Sequence, residues 1–294
     1  MKTTDFPSLF QAADKASVQA QKNYLIIIGL DLSFMIIGSL LAIYSFKCDF
    51  NKLIVYSISG LFLLTSLILT IVLKSKAFED VWYQGRALAE SVKTLTWRFA
   101  TCSELFENNL SKDEVSRRFL ERLKELSNEF KDLNKTLDAN ILSLPIISPK
   151  MESIRNLSAM ERKEYYINER IKEQKKWYSD KAEFNKRKYD MWFVVIILAQ
   201  FLSLVSIIVL IKNPTLDWNL VGLFTTISAA AISWLQLKQH QELKQAYTTA
   251  AQELNFIEAS SSTVTTENEL SRFVLDSENA ISREHTLWLA QKRK

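Results

Sequence analysis

The chain has 294 residues, and its 24% of charged residues is the value expected of a soluble protein. Four stretches of 20 to 23 residues nevertheless share a single charge, Asp31, while the other 209 residues carry 69 charges. One soluble domain is therefore excluded, because an apolar helix of about 20 residues matches the roughly 30 Å hydrocarbon core of a bilayer. A glycine-rich phosphate-binding loop is excluded too, since Gly85 is the only glycine outside the four apolar stretches.

The apolar stretches predict an all-α membrane protein with four spans, built as two tandem two-helix hairpins with long cytoplasmic helices. A connector of six residues joins the two spans of each hairpin, which makes them antiparallel neighbours. The hairpins are separated by 117 residues and followed by a tail of 57. The predicted spans are residues 24–46, 53–73, 191–211 and 218–237.

The positions of Lys and Arg predict the orientation. Basic residues flank the outer ends of both hairpins, whereas the two connectors hold only Lys47, Lys52 and Lys212. Because loops rich in Lys and Arg stay on the cytoplasmic side, both termini and residues 74–190 are expected in the cytoplasm. No signal peptide is expected, since residues 1–23 have mixed charge and no separate apolar region.

Outside the spans the sequence predicts long helices with few breaks. Ser111 with Glu114, and Ser158 with Glu161, have the spacing of a capping box and indicate two helix starts. The helix that begins near Ser158 contains no Gly or Pro before the third span, so it is expected to run into it. The other predicted helices continue the second span to about Leu105, follow an apolar stripe over 111–137, continue the fourth span to about Ala259, and cover 267–291.

Asp31 is the only charge within a predicted span. An acid in hydrocarbon costs about 2.5–3.5 kcal/mol on insertion scales, so it is expected to face protein or water. Two interpretations stay open: an acidic ring in an oligomeric cation pore, or a protonated or hydrogen-bonded group inside the bundle. Gln200 and Thr225 are further candidates for lining such a pore, although hydrogen bonds between helices explain both equally well.

Small residues form one face on the first span and another on the fourth. Such faces allow close helix approach in lipid, where apolarity alone gives no association, and the contact can lie within one chain or between chains. The candidates for packing are Gly29, Ser33, Gly38 and Ala42 on the first span, and Gly222, Ala229 and Ser233 on the fourth.

The sequence favours no enzyme, cofactor or metal. The two cysteines, Cys48 and Cys102, and the two histidines, His240 and His285, are too few and too scattered for a zinc site. No nucleophile with a base is recognisable either. The basic run 181–188 lies beside a span and therefore favours anionic lipid over nucleic acid, which is not expected as a partner.

Two stretches outside the spans resemble the SLATT family, the two-transmembrane effector domains associated with bacterial nucleotide-signalling conflict systems. They are RALAESVKTLTWRF at 86–99 and ENAISREHTLWLA at 278–290. The matching positions are Arg86, Glu90, Lys93, Trp97, Arg98, Glu278, Arg283, Glu284, His285 and Trp288.

The resemblance implies a tandem of two SLATT-like units. The first is expected at 1–149, with its cytoplasmic helices in 74–140, and the second at 150–294 with C-terminal cytoplasmic helices. The function implied is a pore-forming, homo-oligomeric effector of bacterial defence in the inner membrane. Its expected partners are the lipid bilayer, further copies of itself and an upstream sensor or nucleotide-signal protein. The alternative is a non-conducting, membrane-anchored scaffold that recruits cytoplasmic partners.

Overall fold

The computed structural model describes residues 1–44, 52–216 and 218–292, with all of their side chains except those of Tyr44 and residues 283–292. The predicted all-α class is confirmed, and no strand occurs among these residues. The helices are α1 (Ser8–Tyr44), α2 (Lys52–Lys76), α3 (Phe78–Ala100), α4 (Lys112–Glu129), α5 (Ala139–Leu142), α6 (Pro149–Arg155), α7 (Ala159–Tyr166), α8 (Glu173–Lys212), α9 (Val221–Lys238), α10 (His240–Ser260) and α11 (Glu267–Lys292).

The chain folds into two compact units, each made of segments that are distant in sequence. The helices α1 and α8 contribute residues to both units without a break in either helix. The charged unit consists of Met1–Gln21, Glu79–Ala182 and Gln245–Lys294, and the apolar unit of Lys22–Phe78 and Glu183–Lys244.

Three helical stretches of the described chain are long and apolar enough to cross a membrane: Ser8–Ile43, Lys52–Ala100 and Ala159–Lys212. Their apolar side chains face outward, and Leu61, for example, is 62% exposed. The predicted fourth span forms α9, which has only 18 residues, or about 27 Å of helix, and is rich in Ser, Thr and Ala. Three of the four predicted spans are therefore clearly apolar enough to cross a membrane, whereas this is not clear for α9.

The first hairpin is antiparallel, and three contacts in register hold α1 against α2. The Ser66 hydroxyl donates a hydrogen bond to Asp31 near one end of the pair. The Phe34 and Phe62 rings lie 5.4 Å apart in the middle. At the other end the Ser59 hydroxyl donates to the Gly38 carbonyl at 2.9 Å. The connector residues 47–51, with Cys48, and Asp217 lie outside the described residues.

The helices after the second and fourth spans are not continuous with them, contrary to expectation. The chain turns at Ala77 and Gln239, which have φ values of 47° and 48°, and a new helix begins directly after each. The Gln239 N–H bonds the Leu235 carbonyl at 3.0 Å, which closes the last turn of α9. Left-handed caps are usually Gly or Asn, so the Ala and Gln gave no signal in the sequence.

The core of the charged unit is aromatic and is centred on α3. Phe99 packs 4.6 Å from the Phe119 ring of α4, and both rings contact Phe106. The apolar stripe of α4, including Val115 and Leu123, is therefore buried within the chain and gives no reason for self-association. This helix ends at Glu129, because the backbone tightens into a 3₁₀ turn before the predicted end of the stripe.

The predicted helix starts at Ser111 and Ser158 are confirmed. Both hydroxyls accept a hydrogen bond from the third backbone N–H of their helix, and Glu161 completes the box at Ser158. Two short helices, α5 and α6, were not predicted. Ser148 caps α6, with Pro149 in its first turn. Pro at this position is favourable, since the first N–H of a helix has no partner to lose.

We expect Ala77→Gly and Gln239→Gly to stabilise the detergent-solubilised protein by about 0.5–1 kcal/mol each, because the left-handed conformation penalises any residue with a Cβ by about 1–2 kcal/mol. Denaturant titration measures the change. Ala182→Gly in α8 and Gln252→Gly in α10 are the matched controls in regular helix, and should destabilise by about 0.5–1 kcal/mol. Destabilisation by all four substitutions would contradict the strained turns.

Candidate functional site

A buried ion pair lies at the centre of the charged unit. The Arg170 guanidinium donates from Nε to Glu278 Oε1 at 2.9 Å and from Nη2 to Oε2 at 2.8 Å. The Tyr166 hydroxyl donates to Oε1 and the Thr94 hydroxyl to Oε2, both at 2.9 Å. The side chains of Arg170 and Glu278 are only 2% and 0% exposed. The carboxylate thus accepts four hydrogen bonds from three helical segments and needs no water.

Arg170 lies in a π-helical segment, Ile167–Lys172, that joins α7 to α8. Each π turn holds one more residue than an α turn, so the faces of the following helix are rotated by about 100° relative to an unbroken α-helix. The segment continues directly into the helix that carries the third predicted span. The ion pair therefore fixes the chain at the one irregular point of this long helix.

The electrostatics of the pair keep both charges in place. Burial alone would lower the pKa of Arg170, but attraction to Glu278 outweighs it and raises that pKa above its usual value. Burial, together with repulsion by Glu278, raises the pKa of Tyr166 well above its usual value, so this phenol stays a donor. Removing one partner of such a pair leaves an uncompensated buried charge, at a cost of about 3–5 kcal/mol.

A cavity of about 340 Å³ lies beside the ion pair, within the charged unit. Volumes of this size are typical of small-molecule sites. The aromatic side chains of Phe130, Trp177 and Tyr178 form part of its lining. Its charged lining residues come from α1, α3 and α8, and are Asp14, Arg86, Glu90, Lys93 and Glu173.

Asp14 and Lys93 both line this cavity, and the pKa of each is shifted toward the neutral form. Burial and the nearby Glu90 raise the pKa of Asp14. Burial lowers the pKa of Lys93, and the Arg170 charge adds to this effect, although Glu90 favours the ammonium. Neither side chain forms a hydrogen bond or ion pair with any residue of the described chain. Both groups are thus partly withdrawn from water without a direct partner.

A second cavity, of about 260 Å³, shares Ser91, Thr94 and Ser282 with the first. Its lining includes Arg98, whose pKa is lowered by burial. Arg122 also lines it, but is held by Glu125 at 2.6 Å. This second cavity therefore offers fewer unsatisfied groups than the first.

The two motif stretches meet in space. From the first, Arg86, Glu90 and Lys93 line the larger cavity and Arg98 the smaller one. Trp97 is a core residue, 5.6 Å from the Tyr166 ring. From the second, Glu278 forms the ion pair, while the side chains of Arg283, Glu284, His285 and Trp288 lie outside those described. The sequence did not reveal Arg170, Asp14 or Tyr166, because they share their helices with many other polar residues.

The candidates within the spans have different surroundings. Asp31 accepts a hydrogen bond from Ser66 on the neighbouring helix. Gln200 is exposed on α8, and Thr225 is exposed with its hydroxyl bonded to carbonyls of its own helix. Whether any of them lines a pore stays a prediction.

The small-residue faces also differ. On α1, Gly38 packs against Leu63 so closely that an added Cβ would lie 3.0 Å from that side chain, and Gly29 faces Trp234. Ser33 and Ala42 remain partly or fully exposed on the same helix. On α9, the side of the helix that carries Gly222, Ala229 and Ser233 is exposed, so it packs against none of the residues that the structure describes.

Two family models cover nearly the whole chain. The model of the SMODS and SLOG-associating 2TM effector domain 3 matches residues 7–163, and that of domain 1 matches residues 166–288. The chain belongs to the SLATT family. The tandem of two SLATT domains is thereby confirmed, and SLATT domains are effector domains of bacterial conflict systems. The division expected between residues 149 and 150 stays a prediction. Neither curated proteins nor solved structures give a match.

The family assignment places the ion pair within the second SLATT domain, and one of its hydrogen-bond donors in the first. Thr94 belongs to the first matched region, and Tyr166, Arg170 and Glu278 to the second. The cavity has walls from both domains, since α1 and α3 come from the first domain and α8 and α11 from the second. The cavity, with the Thr94 contact to Glu278, is therefore a product of the tandem arrangement.

We expect Glu278→Ala to destabilise this SLATT protein by about 3–5 kcal/mol, because Arg170 would stay buried without a counter-charge. The double variant Arg170→Met with Glu278→Leu should recover much of the loss, since it removes both charges. Chemical denaturation in detergent measures the cycle. Glu125→Ala, which breaks the exposed pair with Arg122, is the control and should cost less than about 1 kcal/mol. Equal effects of Glu278→Ala and Glu125→Ala would show that the buried pair stabilises nothing.

Proposed function

We propose that this SLATT protein is an effector of bacterial conflict defence that homo-oligomerises in the inner membrane to form a gated pore. Its charged unit would be the trigger-sensing layer in the cytoplasm, where both termini would lie. The family membership and the three strongly apolar helical stretches support the effector role at a membrane. The proposal includes no enzymatic step and no nucleic acid partner.

Gln200 is the observation that carries the proposal. It lies at the middle of the charge-free run 191–211 of α8, and its side chain is exposed. No other residue in the described ranges offers its amide a hydrogen bond. A polar group left unsatisfied in hydrocarbon costs several kcal/mol, so the amide needs either water or a neighbouring chain. A pore between copies of the chain would supply both.

The outer face of α9 supports self-association. Gly222, Thr225, Ala229 and Ser233 follow one another at helical spacing and are all exposed. The hydroxyls of Thr225 and Ser233 bond carbonyls of their own helix, so this face presents a nearly smooth backbone. Such faces allow helices of different chains to approach closely in lipid. A covered outer face, with its small Gly, Ala, Ser and Thr side chains, would let α9 serve as the fourth span of the proposal.

The ion pair gives the proposed gate a closed state. While Glu278 holds Arg170, the π-helical segment keeps α8 in its present register. Loss of the pair would let the segment relax to α-helix and turn the following residues by about 100°. Gln200, on the same helix, would turn with them. A trigger acting on α11 would thus change which face of α8 meets the pore.

The alternative is a non-conducting scaffold, and two observations favour it. More than half of the chain lies in the charged unit. Asp31 has a hydrogen-bond partner in its own hairpin, which is what a packing acid needs. Under this alternative the protein would recruit an upstream sensor or nucleotide-signal protein without conducting.

A test of the orientation needs a reporter cysteine other than Cys102. This residue is 1% exposed and burial raises the pKa of its thiol, so a thiol reagent would leave it unlabelled on either side of the membrane. We expect Glu121→Cys, at an exposed position of α4, to be protected from a membrane-impermeant maleimide in intact cells and labelled after permeabilisation. Glu121→Cys is made in a Cys48→Ser background, so that the new thiol is labelled without interference from Cys48. In separate cells that carry the wild-type chain, Cys48 should be labelled without permeabilisation. Strong labelling of Glu121→Cys in intact cells would reverse the proposed orientation.

Flux through liposomes that contain the purified protein tests the pore. We expect Glu278→Gln to raise cation flux above the wild-type level, because it weakens the closed state. In that background Gln200→Leu and Asp31→Asn should each lower the flux at least about tenfold if both residues line the path, while the oligomer stays assembled. Ser206→Ala, whose hydroxyl bonds the Leu202 carbonyl of its own helix, is the control and should change nothing.

Two outcomes would redirect the proposal. Undiminished flux in Asp31→Asn would leave this residue as a packing group. The absence of flux from the wild type and from Glu278→Gln, with oligomers intact, would favour the scaffold.

A further inference from the structure

Asp14 and Lys93 make the larger cavity chemically unusual. They are a carboxylate and an ammonium that line the same 340 Å³ space, yet they form no ion pair with each other. Both are partly buried, and burial is the largest influence on each pKa, shifting it toward the neutral form. Two opposite charges thus line one partly buried space, and neither has a direct partner among the side chains that the structure describes.

A ligand of complementary charge would relieve both groups at once. An ammonium beside Asp14 and an oxyanion beside Lys93 would each form a charge-assisted hydrogen bond, which is about twice as strong as a neutral one. The lining carries three carboxylates, on Asp14, Glu90 and Glu173, against two cations, on Arg86 and Lys93. A ligand that includes a cationic group therefore fits this lining better than a purely anionic one.

The remaining lining selects for an apolar, flat group. Trp177, Tyr178 and Phe130 offer ring surfaces, and Ile281 adds an aliphatic one. The Lys181 ammonium lies 5.8 Å from the centre of the Trp177 ring. A ring on the ligand would gain by burial here rather than by a specific hydrogen bond.

We propose that this cavity binds a small zwitterion with an ammonium, an oxyanion and an aromatic or flat apolar group, as an aromatic amino acid has. The ammonium would bind Asp14 on α1, and the oxyanion would bind Lys93 on α3. The apolar group would lie against Trp177 of α8. Occupancy would therefore join three helices of the charged unit.

The cavity is connected to the buried ion pair by two of its lining residues. Thr94 lines the cavity and donates to Glu278. Gln174 also lines it, and accepts from Arg170 Nη1 at 3.4 Å. A ligand that moves either side chain changes the support of the pair. Binding stands independently of the pore, whereas this effect on gating rests on the proposed function.

Three probes that share one ring test the charge requirement on the detergent-solubilised full chain. They are L-phenylalanine, 2-phenylethylamine, which lacks the carboxylate, and 3-phenylpropionate, which lacks the ammonium. Isothermal titration calorimetry should show saturable binding of L-phenylalanine, and at least about tenfold weaker binding of the other two. A thermal shift should follow the same order.

Asp14→Asn and Lys93→Gln should each weaken L-phenylalanine binding at least about tenfold, while the unfolding midpoint without ligand stays equal or rises, because a strained charge is removed. The matched controls are Asp276→Asn and Lys124→Gln, at exposed positions outside the cavity, and should bind as the wild type does. Three results would overturn the proposal. They are equal binding of all three probes, binding of L-phenylalanine by both Asp14→Asn and Lys93→Gln as tightly as by the wild type, and no binding of L-phenylalanine to the folded wild-type protein. Flux is measured separately, so a failed pore and a failed ligand site give different results.

Discussion

The bidentate contact between Arg170 and Glu278 is the interaction on which the charged unit depends. Both side chains are withdrawn from water, and the carboxylate is shared with Tyr166 and Thr94, so that one group fastens α3, α11 and the π-helical segment together. A buried pair of this kind is weak evidence for stability by itself, because an apolar replacement of similar volume is often as stable. What it adds is specificity: the charges are compensated in one arrangement of the three segments. Slippage of α11 along its neighbours would expose both charges to an apolar core.

The tandem of SLATT domains shapes both the apolar helices and the charged unit. In each half an apolar helix ends in a lysine, a left-handed residue follows, and a new helix begins at once, at Ala77 in the first half and Gln239 in the second. The repeated turn supports an internal duplication more directly than residue identity does. The two halves are nevertheless not independent of each other, since Glu278 of the second half accepts a hydrogen bond from Thr94 of the first. A single SLATT domain of this chain would lack one wall of the cavity.

The sequence predicted the features that short-range patterns determine. Hydropathy over about 20 residues identified the apolar helices, and the spacing of Ser158 and Glu161 identified a helix start, because both signals are local. The ion pair could not be found in this way, since 108 residues separate its partners and the segment around Arg170 carries many other charges. The π-helical segment, in which Arg170 and Ile171 are buried, was also unpredictable, because no pattern in its own sequence marks the extra residue. The turns at Ala77 and Gln239 escaped notice because neither residue favours a left-handed backbone.

The contrast between satisfied and unsatisfied charges bears on how a signal could reach the membrane helices. Leaving one partner of a buried ion pair without its counter-charge costs about 3–5 kcal/mol, and a ligand can shift an equilibrium only by the difference between its affinities for the two states. If separation of Arg170 from Glu278 costs as much, a ligand in one cavity would need to prefer the open state by roughly 100- to several-thousand-fold. A small zwitterion of modest affinity falls short of that alone, whereas the cavities of several copies act together if the copies open as one. In the proposed pore, oligomerisation would therefore have a second role: it would let weak occupancy of each charged unit together overcome a firmly held ion pair.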